Sequence, residues 1–127
     1  MSVPNDRRYL KSHEWHKLEG DICTIGITQF AADELTDITY VSLPSVGKEL
    51  KAGKPFGEVE SVKATSDLIA GVSGVVTEVN SKLNDAPELV NSDPMAAGWM
   101  IKVKVSDAAA LEGLLAADQY EAQLSGH

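Results

Sequence analysis

The chain has 127 residues, 43% hydrophobic and 24% charged, with 11 Lys and Arg against 19 Asp and Glu and a net charge of -8 at pH 7. That length allows one core and no second independent one, and an acidic balance repels a phosphate backbone, which argues against nucleic acid as a partner. No apolar run approaches the roughly 20 residues of a membrane span, and Cys23 stands alone, so no intrachain disulfide can form.

The first eight residues include Arg7 and Arg8 but no apolar stretch of the signal-peptide type. The chain is therefore expected to stay where it is made: the cytoplasm of a bacterium, or the mitochondrial matrix if it is a processed eukaryotic product. Residues 9–18 are mixed in character. Gly20-Asp21 supplies a two-residue turn before residues 22–27, a strand pattern with Cys23, Ile25 and Ile27 on one face. Cys23 reads as a buried strand thiol without a reactive role. Thr28 is placed to cap a short helix over residues 29–35 with Phe30 and Leu35 as anchors. A strand resumes over residues 38–43, and residues 44–47 and 51–55 read as turns.

Residues 57–79 form the most unusual stretch. Two segments of strand character, carrying Val59 and Val62 on one arm and Leu68 and Ile69 on the other, flank a short polar centre where the chain reverses, with Lys63 at the reversal. Gly57 and Gly74 bracket the unit, as expected where a curved sheet needs positive φ or close backbone approach. A lysine on a rigid tip combines a fixed base with the reach of a four-carbon stem ending in an amine. By itself it reads most simply as a solvated turn lysine beside Glu58, Glu60 and Asp67.

Residues 80–87 read as a loop and residues 91–94 as a turn. The segment 99–105 alternates Ile101, Val103 and Val105 inward with Lys102 and Lys104 outward and is expected to close a sheet. Asp107 is suited to cap a helix over residues 108–115, weakened at Gly113, and Asp118 to start a further turn to residue 124, giving a C-terminal helical segment over about 107–124. Trp15, Trp99 and Tyr40 read as packing residues. His13-x-x-His16 has the spacing of a metal pair, yet no third and fourth ligands occur at sensible spacing, His127 being distant, so no metal is expected. The many short strands point to a mainly β fold, a β-sandwich or flattened barrel with short peripheral helices, in a single domain spanning 1–127.

Glu60-Ser61-Val62-Lys63-Ala64, followed by Gly74, resembles the hairpin of lipoyl and biotinyl carrier domains. The longer wording, Val59 through Asp67, resembles the glycine cleavage H-protein family. The likeness extends to Lys11-Ser12-His13-Glu14-Trp15, Thr24-Ile25-Gly26-Ile27-Thr28, Leu43-Pro44-Ser45-Val46-Gly47, Glu78-Val79-Asn80, Pro87-Glu88-Leu89-Val90-Asn91 and Gly98-Trp99-Met100-Ile101-Lys102. Ala70-Gly71 and Met95 depart from the usual wording, where a Ser-Pro pair and an aromatic are common.

The resemblance implies a barrel-sandwich hybrid and a non-catalytic, monomeric carrier with lipoate amide-linked to Lys63. Such a carrier moves the aminomethyl group and electrons of glycine between glycine decarboxylase, an aminomethyltransferase and dihydrolipoyl dehydrogenase, and a lipoate ligase or lipoyl/octanoyl transferase loads it. The strained dithiolane of lipoate is the reacting group, on an arm extending about 14 Å with the lysine stem. By the same resemblance Ser12, Glu14 and Asp67 hold the cationic amine, and a hydroxyl and carboxylates suit that role as acceptors of charge-assisted hydrogen bonds. Val62 and Ala64 flank the lysine where biotin carriers have methionine, and no aspartate precedes it as in lipoyl domains of 2-oxoacid dehydrogenases. A lipoyl or octanoyl reservoir for other enzymes is the remaining alternative.

Overall fold

The computed structural model describes residues 3–124. Nine strands and four short α-helices follow one another along them. The first hairpin joins β2 (Glu14–Glu19) to β3 (Ile22–Ile27) through Gly20 at φ 66° and Asp21, preceded by the short β1 (Arg8–Tyr9). The helix α1 (Gln29–Leu35) starts where the Thr28 hydroxyl accepts the Ala31 N–H, as its sequence foretold, although Ala32 is its buried residue and Phe30 and Leu35 are half-buried. There follow β4 (Ile38–Ser42), β5 (Glu49–Leu50), β6 (Pro55–Ser61), β7 (Thr65–Ile69) and β8 (Gly74–Val79). The predicted loop at 80–87 and turn at 91–94 contain two single-turn helices, α2 (Lys82–Asp85) and α3 (Leu89–Ser92), before β9 (Ile101–Val105). Leu83 and Val90 are fully buried, so one apolar side chain per turn holds each of them to the core.

The strands form two antiparallel sheets, a six-stranded one in the order β1-β2-β3-β9-β8-β5 and a three-stranded one in the order β4-β6-β7, neither closed into a barrel. Ile25, Ile101, Val103 and Val76 of the large sheet and Val41, Val59 and Leu68 of the small one belong to a single buried cluster. The mainly β expectation holds, and β9, the strand expected to close a sheet, lies inside one, between β3 and β8, a position its alternation does not specify. The reason is chemical: alternation marks a half-buried strand without saying how many neighbours it has.

The stretch around Lys63 divides between the sheets. The hairpin proper is β6–β7, with Glu60 opposite Thr65 and Glu58 opposite Asp67, whereas β8 crosses to the large sheet and pairs with β9 and β5. A register shift between Pro55 and Gly57 lets Phe56 and Val59, three positions apart, both face the core. Both bracketing glycines serve close approach: a Cβ on Gly57 would run into the Ser42 carbonyl oxygen, and one on Gly74 into that of Lys104.

The C-terminal segment differs from the expected helix over 108–115. Residues Ala108–Gly113 make 3-10 turns, and α4 (Ala117–Leu124) begins only afterwards. Between them Leu115 exchanges two backbone hydrogen bonds with Tyr9, each 2.8 Å. That bridge to β1 draws the backbone out of the helical conformation. The Tyr120 ring of α4 then stacks on Tyr9 at 4.8 Å in a second core with Trp15. Trp15 is buried as expected and donates its indole N–H to the Pro94 carbonyl, Trp99 is half-buried, and Tyr40 is 52% exposed on the outer face of β4. Alternating strand positions send it there: Tyr40 shares a face with its cross-strand partner Glu60.

Candidate functional site

Lys63 occupies the bend between β6 and β7, exposed, on a tip that its neighbours order. The Ser61 hydroxyl oxygen accepts the backbone N–H groups of Lys63 at 3.2 Å and Ala64 at 3.1 Å, while Ser61 N–H donates to the Ala64 carbonyl at 2.8 Å. A serine bonding to the next residues in this way replaces a longer loop with a tight bend. The end of α1 and the turn after it support the tip from one side: the Asp37 carbonyl accepts the Val62 N–H and the Glu34 carbonyl, in the last turn of α1, accepts Lys63 Nζ at 3.2 Å. Among the described residues the Lys63 amine enters no ion pair. Val59 is buried, whereas Val62 on the same arm is 70% exposed. The reversal begins there and breaks the two-residue alternation.

Ser12 and Glu14 do meet. The Ser12 hydroxyl donates to one Glu14 carboxylate oxygen at 2.5 Å, and the other oxygen accepts the Ile69 N–H of β7 at 2.8 Å. Glu14 is 1% exposed, and burial raises its pKa above the ordinary 4.5, opposed by those two hydrogen bonds. A carboxylate in that setting gains most from an arriving cation, since its own charge is poorly solvated. The loop bearing Ser12 is fixed from α4. Tyr120 Oη lies 2.7 Å from His13 Nδ1 and 2.8 Å from Thr28 Oγ1, and the Gln123 amide donates to the Lys11 carbonyl. His13 has φ 82°, a backbone state that turns the chain sharply just before Glu14.

Asp67 lies on β7, two residues from Ile69 and therefore about 7 Å along the strand from the Glu14 contact. It is exposed, and among the described residues its carboxylate bonds neither Ser12 nor Glu14. Its direct cross-strand neighbour is Glu58, and Glu60 follows on the same face. Carboxylates directly opposite one another repel, so this face favours a cation.

His13 and His16 do not form a metal pair. His16 is fully buried, its Nε2 accepts the Gly71 N–H at 2.9 Å, and burial lowers its pKa to about 4, leaving a neutral ring. Burial outweighs the opposing influence of the Glu14 backbone, and among the described residues Nδ1 makes no hydrogen bond. No metal-binding group occurs among the described residues, and His127 lies outside them. Cys23 is buried, and desolvation pushes its thiol up to about 12, consistent with an inert strand thiol.

Three contributors escaped the sequence: Ser61 as the organiser of the bend, His16 as the partner of Gly71, and Asn91, whose amide spans the turn after α1. Only Gly71 carried a visible signal, standing where a proline is common in the resembled family; a proline there would have no N–H to give His16.

The comparisons with known proteins agree on one family. The glycine cleavage H-protein family model matches residues 7–127. The glycine cleavage system H protein of Bacillus subtilis is 54% identical over 121 residues, covering 95% of each chain. A probable glycine cleavage system H protein of Haloarcula marismortui is 53% identical over 124 residues, covering 98% of each. The crystal structure of a glycine cleavage system H protein from Mycobacterium marinum superposes with a TM-score of 0.89 at 40% identity, covering 97% of this chain and 99% of that one. With its two antiparallel sheets, its lysine-tipped hairpin and these matches across nearly all its length, the chain belongs to the glycine cleavage H-protein family, the non-catalytic lipoyl carriers that shuttle between the components of the glycine cleavage system.

Proposed function

We propose that Lys63 is the residue through which lipoate is joined, and that the whole chain works as a single, monomeric carrier domain. The observation that carries this reading is the placement of an exposed amine, outside any ion pair among the described residues, on a bend tied down by Ser61. An amide at Nζ needs an accessible amine and a fixed base, and the site meets both requirements. When bound, the dithiolane of lipoate supplies a strained disulfide that accepts a one-carbon amine and two electrons.

This chain's own residues then bind and orient. Glu14, held by Ser12 and the Ile69 N–H, offers a desolvated carboxylate to the ammonium of the cargo, and Asp67 offers a second on the same strand as Ile69. Burial of Glu14 keeps bulk water away from that contact. The acidic face of Glu58, Glu60 and Asp67 beside the tip suits docking of glycine decarboxylase, the aminomethyltransferase, dihydrolipoyl dehydrogenase and the lipoate ligase or lipoyl/octanoyl transferase. Relatives in bacteria and archaea favour the cytoplasm as its place of work.

Coexpression with a lipoate ligase, followed by intact mass measurement, tests the attachment. The wild type is expected to gain one lipoyl adduct and Lys63→Arg none. An adduct on the arginine variant would place the site elsewhere. Glycine-bicarbonate exchange with the decarboxylase then separates a glycine cleavage carrier from a lipoyl reservoir, which would support no exchange.

A further inference from the structure

We propose that Asn91 is a positioning residue for the modification of Lys63, acting through the strained turn that joins α1 to β4; the inference rests on the reading of Lys63 as the attachment lysine. Asn91 sits in the single-turn helix α3, within the Pro87-Glu88-Leu89-Val90-Asn91 stretch. Its amide brackets Asp37, just after Thr36: Nδ2 donates to the Thr36 carbonyl at 2.7 Å, and Oδ1 accepts the Ile38 N–H at 2.8 Å. The contacts cross 55 and 53 positions of sequence, so they tie two otherwise separate parts of the chain.

Thr36 holds φ 62° and ψ -147°, a backbone state that is essentially the preserve of glycine, and a β-branched side chain makes it worse. Strain of this kind persists only where neighbours over-determine it, and the two Asn91 bonds do that. The turn under strain is also the one that touches the tip. The Asp37 carbonyl accepts the Val62 N–H at 3.1 Å and the Glu34 carbonyl accepts Lys63 Nζ at 3.2 Å, one on either side of Thr36. If Thr36 relaxes to negative φ, the Asp37 carbonyl, on the far side of Thr36 from α1, swings away and the Val62 N–H loses its acceptor. What remains is the internal bonding of the bend through Ser61 and the strand pairing that ends at Glu60 and Thr65, which hold the base of the tip but leave Val62 and Lys63 without the Asp37 contact. An enzyme that must align one amine for amide formation then meets a tip spread over more orientations.

The test uses the full chain, lipoate ligase, ATP and lipoate, with three readouts: kcat and KM for the carrier, melting temperature, and hydrogen exchange at the Val62 amide. Asn91→Ala is expected to lower kcat/KM for lipoylation and Val62 protection by about tenfold each. Asn91→Asp, which keeps the acceptor for Ile38 but loses the donor to Thr36, is expected to do the same and serves if the alanine variant folds poorly. Thr36→Gly, which adopts the same backbone without strain, is expected to be neutral alone and to bring Asn91→Ala back to within about twofold of wild type. Failure of that rescue would reduce Asn91 to general support of the fold and overturn the proposal. So would an Asn91→Ala chain lipoylated at the wild-type rate with Val62 still protected. An adduct that survives Lys63→Arg would instead remove the attachment reading itself, and this inference with it.

Discussion

Replacing Glu14 tests whether its carboxylate is there for stability or for its cargo. In Glu14→Ala the Ile69 N–H loses its acceptor at the join between β2 and β7, and an unsatisfied buried donor costs about 1–3 kcal/mol. Removing a desolvated charge offsets part of that loss, so a net loss of about 1–2 kcal/mol is expected, or about 3–8 °C in Tm for a chain of this size. Glu14→Gln keeps an oxygen for Ile69, gives Ser12 a donor in place of an acceptor, and removes the charge. It is expected to lie within about 0.5 kcal/mol of wild type at pH 7.

The pH dependence carries the sign. Burial raises the Glu14 pKa in the folded protein above the 4.5 of the unfolded chain, so the folded state holds that proton more tightly. The favourable contribution is complete below 4.5 and is lost as pH rises through the folded value. Glutamine does not titrate. In urea titrations between pH 4 and pH 8, Glu14→Gln should therefore gain on wild type as pH rises. A gap that widens the other way, with Gln as unstable as Ala, would show the ionised carboxylate to be net stabilising and would refute the argument from burial.

Three other outcomes are expected. His16, neutral in the core with a pKa of about 4 against 6.5 when unfolded, contributes stability that is complete above pH 6.5 and lost as pH falls through 4, up to about 3 kcal/mol; urea titrations of His16→Gln, which keeps an acceptor for Gly71, should be flatter across that window. Gly57→Ala forces a methyl against the Ser42 carbonyl and should cost about 3 kcal/mol or more by denaturant unfolding, while Gly53→Ala, open around its Cβ position but at φ 86°, should cost less. Cys23 should be silent to a thiol-reactive disulfide reagent in the folded protein and react fully once unfolded; labelling at the folded stage would contradict its burial.

Much of this molecule could be read from local patterns. Alternation of Cys23, Ile25 and Ile27, and of Ile101, Val103 and Val105, marked two core strands, because a strand's faces are set by a two-residue period that the sequence states directly. Thr28 as a cap and Gly20-Asp21 as a hairpin turn were legible for the same reason: each is a contact between near neighbours. Lys63 at a reversal was legible too, and the wording around it resembled that of the glycine cleavage H-protein family.

What tertiary structure alone decided are the contacts whose partners lie far apart in the chain. Glu14 is singled out in the sequence only by resemblance, and it takes the tertiary fold to bring the Ile69 N–H of β7 to it across 55 residues; the spacing of His13 and His16 likewise says nothing of the Gly71 N–H that occupies the His16 ring nitrogen. The helix expected over 108–115 gave way to a bridge with Tyr9, and Asn91 gained a role only where the turn after α1 reached it. Local propensity is worth tenths of a kcal/mol per residue, whereas a buried hydrogen bond left unmade costs about 1–3 kcal/mol, so distant pairing overrules local preference wherever the two conflict.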